Sequence, residues 1–66
     1  MNDSDIYWTF VTASKYAGSF YKALAHAGLA ADPGNKQRLL TAFPEFAATY
    51  GPASRLHRTM REGVAA

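Results

Sequence analysis

One row of apolar side chains constrains this chain more than anything else in it. Ile6, Phe10, Ala13, Ala17, Phe20, Leu24 and Ala27 follow one another at alternating spacings of four and three, the period of a helix that buries one flank. A second row, Tyr7, Val11, Ser14, Gly18, Tyr21 and Ala25, lies beside the first. The stripe is therefore wider than the seam of a two-stranded coiled coil and expects company on two sides. The spacing predicts one long helix over Ser4–Ala27, with Asp3, Ser4 or Asp5 as its cap, because carboxylates suit the positive end of a helix dipole.

Gly18 interrupts that stretch, and a glycine in a helix interior costs about 1 kcal/mol relative to alanine. Ala13, Ser14, Ala17 and Gly18, flanked by Tyr7, Phe10, Phe20 and Tyr21, read as a notch where another helix crosses closely. The other reading is a break at Gly18 into two shorter helices. The unbroken phase of the seam favours a continuous helix, which Gly28 then ends in a left-handed cap, with Leu29 folding back as a hydrophobic contact.

Downstream the punctuation is strong. Asp32 followed by Pro33 reads as N-cap and first helical residue. The helix Pro33–Phe43 would turn Leu39, Leu40 and Phe43 inward and leave Lys36, Gln37 and Arg38 in water. Pro44 stops it and opens a short helix, Pro44–Tyr50, with Phe46, Ala47 and Tyr50 inward. Gly51 and Pro52 lead into a last helix, Pro52–Glu62, with Ala53, Leu56 and Met60 on one face and Glu62 placed to pair with Arg58. No segment alternates as a strand does. The sequence thus predicts an all-α fold, one long N-terminal helix with two or three short helices on its apolar face, in a single small domain over residues 1–66 with frayed ends at 1–3 and 63–66.

A core of this size supplies only roughly 3 to 5 kcal/mol, and the chain has no cysteine, which excludes disulfides and thiolate metal sites. Good helix packing, self-association or a partner remain as supplements. No window holds the ~18 uninterrupted apolar residues of a membrane span, and the acidic start MNDSD lacks the basic region of a signal peptide. The expectation is a soluble cytoplasmic product with no membrane contact.

Reactive constellations are missing too. His26 and His57 fall in no HxxxH or HExxH pattern and are expected at the surface or rim. Ser4 reads as a cap, and Ser14, Ser19 and Ser54 as helix-packing or solvent-facing residues, with no Gly-x-Ser-x-Gly elbow among them. The Asp32–Asn35 stretch, DPGN, is a turn into a helix and not a phosphate loop. Neither an enzyme nor a cofactor or metal site is expected. The tract AGLAADPGNKQRLLTAFPEF resembles short bacterial or phage reading frames, a likeness that identifies no active residue.

Aromatic residues point to binding. Trp8 shares the polar side of the predicted long helix with Thr12, Lys15, Ser19, Lys22 and His26, flanked by Tyr7, Tyr16 and Tyr21, and interface centres favour Trp and Tyr. A later helix covering Trp8 would be the plainer explanation. The candidate interface is Trp8, Ala13, Tyr16, Ala17, Gly18 and Tyr21. The function expected is a helical protein–protein interaction module, a small intracellular accessory or phage-type inhibitor that binds a partner protein or, as a homodimer, itself. The alternative is a small nucleic-acid-binding accessory protein. It would use Arg55, His57, Arg58 and Arg61, helped by Lys36 and Arg38 and by Tyr50 stacking on a base. The net charge of +2 is modest for that role, and no helix-turn-helix, zinc-finger or RNP pattern accompanies the arginines.

Overall fold

Two extended residues divide the expected long helix. In the computed structural model, which describes residues 1–65 apart from the side chains of Val64 and Ala65, Ala17 (φ −78°, ψ 163°) and Gly18 (φ −72°, ψ 176°) separate α1, Asp3–Tyr16, from α2, Ser19–Ala30. The remaining helices are α3, Pro33–Ala42, α4, Glu45–Tyr50, and α5, Arg55–Ala65. The fold is all-α, and no strand occurs among the described residues. Helix α1 packs against α2, α4 and α5, while α3 lies on α2.

The single Ser4–Ala27 rod is thus corrected to a pair of helices, for a reason of size. Twenty-four residues of straight helix would run about 36 Å, longer than the molecule's greatest extent of 30 Å. Breaking at Ala17–Gly18 lets α2 fold back beside α1, so that each covers the other. Local chemistry assists the break: Lys15 sits in the last turn of α1, where a cation suits the helix dipole, and Gly18 opens α2 by accepting from the Lys22 amide at 2.8 Å.

The corner also shifts the buried face. In α1 the predicted row is inside, with Ile6, Phe10 and Ala13 buried, and Ala17 just past its end is buried too. In α2 the second row takes over: Ala25 and Gly28 are buried with Tyr21 half-buried, while Phe20 of the first row stands 59% exposed. Gly18 is no notch, since a Cβ there would meet nothing within 4 Å. The close crossing is at Gly28, where a Cβ would lie 2.5–2.7 Å from ring carbons of Phe10. Gly28 is therefore helix interior at a contact and not a left-handed cap; α2 continues to Ala30.

Capping explains the other boundaries. Asn2, expected to fray, caps α1 by accepting from the Asp5 amide at 2.8 Å. Asp32 caps α3 as predicted, accepting from the Asn35 amide at 2.8 Å with Pro33 at the first position. Ser54 caps α5 by accepting from the His57 amide at 3.1 Å, so that helix starts three residues after Pro52 and runs on through Gly63 to Ala65. Ala66, the last residue of the expected loose tail, lies outside the described residues. At Gly51 an added Cβ would collide with the Ala47 carbonyl oxygen, so the α4–α5 turn admits no side chain there.

The core is Ile6, Phe10, Ala13, Ala17, Ala25, Leu40 and Phe46. Phe10 and Phe46, both fully buried, meet at 5.6 Å between ring centroids. Thr9 and Thr12 are fully buried as well, although the sequence pattern puts Thr12 on the polar side. Their hydroxyls donate to the Asp5 and Trp8 carbonyls at 2.7 Å, one turn back, and a threonine satisfied in this way packs as a small apolar residue.

Candidate functional site

On α2 the first apolar row is only partly covered: Leu24 packs half-buried against the core, while Phe20 and Ala27 are exposed. On the flank of α2 turned away from Ala25, Phe20, Ala23, Ala27 and Ala30 recur at spacings of three, four and three, and all four are exposed. Helix α3 continues this surface. The Phe20 ring stands edge-on to Phe43 with centroids 5.9 Å apart, and Ala27, Ala31, Leu39 and Ala42 line an open groove between the two helices, bordered by Asn35 and Arg38. On the other side of the row α2 exposes Lys22 and His26. The result is an aromatic knob beside a trough of small side chains, with Arg38 at its edge.

Two contacts hold this surface in place. Lys36, expected in water, reaches back and donates to the Gly28, Leu29 and Ala31 carbonyls at 2.7, 3.3 and 2.8 Å. It caps the α2 terminus and ties it to α3. The Tyr21 hydroxyl donates to a Glu45 carboxylate oxygen at 2.6 Å. That bond lowers the Glu45 pKa below its ordinary value and raises that of Tyr21, and it pins the ring on which Phe20 packs, centroids 5.1 Å apart.

The predicted interface residues scatter. Ala13 and Ala17 are buried against the chain's own helices, which removes them from any surface in this fold. Gly18 is exposed at the corner, Tyr16 is 42% exposed, and Trp8 and Tyr21 are half-buried. Trp8 stands edge-on to Tyr7, centroids 5.5 Å apart. The surface residues missed are Ala23, Ala30, Leu39 and Ala42. The signal for the first two is present, since Phe20, Ala23, Ala27 and Ala30 keep helical spacing; it is hidden because an unbroken seam turns one flank inward along its whole length.

The predicted basic cluster does not assemble. Arg55 and Arg58 are exposed, but Arg61 donates to Asp5 at 3.0 Å and to the Ser4 hydroxyl at 2.6 Å. The expected Arg58–Glu62 pair does not occur; the ion pair among the described residues is Arg61–Asp5. The Arg61 guanidinium, hydrogen-bonded to Asp5, holds that carboxyl below the usual carboxylate value. His57, expected at the rim, is 1% exposed. Its Nδ1 lies 2.9 Å from the Tyr50 carbonyl oxygen, which can only accept, so Nδ1 carries the hydrogen and Nε2 is left buried without a partner. Tyr50 is half-buried and packs on Phe46, centroids 6.0 Å apart.

Among the described residues no three His, Asp or Glu side chains converge as metal ligands, and no helix is long and apolar enough to cross a membrane. Comparison with protein-family models, with curated proteins and with solved structures finds no match to this chain.

Proposed function

We propose that the chain is a non-enzymatic protein-binding module whose contact surface is the α2–α3 face. The observation that carries this reading is Phe20, a large aromatic 59% exposed and continuous with an apolar trough that stays open among the described residues. Interfaces favour aromatic anchors set among packable neighbours, and contiguous exposed apolar surface marks interaction sites. A module of this kind acts by occupying a surface of its partner, which suits an accessory or inhibitor role. Nucleic-acid binding has less support, because only Arg55 and Arg58 of the predicted cluster remain exposed and unengaged.

The test is capture from extract of the source cells with the native chain and with a Phe20→Ser/Ala27→Glu variant of matched helicity. The expected result is a protein retained by the native chain and lost with the variant. Identical capture by both, or a steeply salt-dependent retention of DNA or RNA that Arg55→Ala/Arg58→Ala abolishes, would overturn the reading.

A further inference from the structure

A second cavity, of about 230 Å³, opens between α2 and α4 and is lined by Tyr21, Glu45, Phe46, Thr49 and Tyr50. It shares no lining residue with the α2–α3 trough. Its rings are set from below. Phe46, fully buried, packs on both tyrosines, with centroids 5.5 Å from Tyr21 and 6.0 Å from Tyr50. The two tyrosines are half-buried on that support, and Glu45 and Thr49 are exposed at the rim.

Glu45 supplies the only formal charge of this lining, with no lysine, arginine or histidine among it. The hydrogen bond from Tyr21 and the residue's own backbone amide hold the Glu45 carboxyl below its ordinary value, so it is ionised at neutral pH. The Tyr21 hydroxyl donates to that carboxylate at 2.6 Å. A phenol that donates to a carboxylate gains electron density in its ring, which strengthens the ring's attraction for a cation.

We propose that this cavity binds an alkylammonium headgroup, held by the Tyr21 and Tyr50 rings with the Glu45 carboxylate as counter-charge. The site goes beyond the binding-module reading and does not depend on it. An alkylammonium spreads its charge over methyl or methylene groups, which lie on aromatic rings at little desolvation cost. Other occupants match the lining less well. An anion would meet Glu45, and a divalent cation needs several oxygen ligands where no three His, Asp or Glu side chains converge among the described residues. Sites for drug-sized molecules hold roughly 300 to 1,000 Å³, so this cavity takes a headgroup and not a whole ligand of that size.

The experiment titrates choline onto the isotope-labelled full chain and follows amide resonances, with 3,3-dimethylbutan-1-ol as the uncharged probe of the same shape. Choline is expected to saturate at a Kd of about 1–10 mM, to shift the amides of Tyr21, Glu45, Thr49 and Tyr50, and to bind about tenfold more tightly than the alcohol. Glu45→Gln, an exposed and isosteric change, is expected to weaken choline about three- to fivefold and leave the alcohol unchanged. Tyr50→Leu is expected to weaken choline as well. Equal binding of the two probes, or choline binding that Glu45→Gln does not weaken, would overturn the cation site. So would the absence of any saturable shift of these four amides. A peptide carrying trimethyllysine then separates the sources of the headgroup. Binding tighter than choline, lost when the lysine is replaced by norleucine, supports the site and assigns the headgroup to a protein side chain. Binding no tighter than choline supports it as a site for a free amine. The amides read here differ from those of the α2–α3 face, so failure of this site leaves the capture experiment to decide the binding-module reading separately.

Discussion

A methyl group added at residue 28 would place a Cβ 2.5–2.7 Å from the Phe10 ring, and that ring, fully buried against Phe46, has no room to move aside. Gly28→Ala is expected to lower stability by about 1–2 kcal/mol in urea unfolding, overpacking outweighing the gain in helix propensity. Gly18→Asn should do the opposite. It fills open space and supplies the side-chain cap that α2 lacks, worth a few tenths of a kcal/mol. Asp5 contributes a pH dependence. Its pKa is below the ordinary 3.8 in the folded chain because Arg61 donates a hydrogen bond to the carboxylate. The stabilisation is therefore complete above the unfolded value and lost as pH falls through the folded one. Arg61→Met should flatten the acid limb of stability followed by circular dichroism, leaving stability near neutral pH to fall only slightly, as expected for a partly exposed pair. A flattening that appears at alkaline pH instead would contradict this assignment.

Helix ends differ in how openly the sequence declares them. Asp32–Pro33, Pro44 and Gly51 mark α3 and α4 to within a residue, because each signal acts through its own backbone: a cap, a fixed φ, a site with no room for a side chain. The Ala17–Gly18 break was not legible from periodicity. A seam keeps its phase whether or not two extended residues interrupt it, and only the crossing of Phe10 over Gly28 shows which row faces inward afterwards. Similarly, His57 read as a rim residue because its hydrogen-bond acceptor, the Tyr50 carbonyl, is a backbone atom that carries no sequence signature. Lys36 is the corresponding case at the element scale, its role visible only once α3 is seen to return along α2. Removing that amine by Lys36→Met takes a donor from the Gly28, Leu29 and Ala31 carbonyls at the end of α2, of which Gly28 keeps the Ala31 amide at 3.2 Å. The expected loss is about 1 kcal/mol, measured by denaturant midpoint, with the amides of Gly28–Ala31 exchanging faster.

At the scale of the molecule, the candidate face and the core separate cleanly. Phe46 is fully buried and Phe20 is 59% exposed. Truncating the first, Phe46→Ala, should cost about 3–5 kcal/mol, while Phe20→Ser should change stability by no more than about 0.5 kcal/mol; thermal unfolding of the two variants compares them directly. A side chain so large and so exposed, set against Phe43 and Tyr21, is the reason the proposed contact surface is placed on the α2–α3 face. The opposite side of the fold is closed differently. Helix α5 returns to α1 across most of the chain, through Arg61 gripping Asp5 and Ser4, whereas α1 and α2 meet across a two-residue corner. The neighbouring pair can form and persist without distant help, so native-state hydrogen exchange should find α5 opening as a separate, least protected unit, with α1 and α2 releasing their amides only when the whole molecule unfolds.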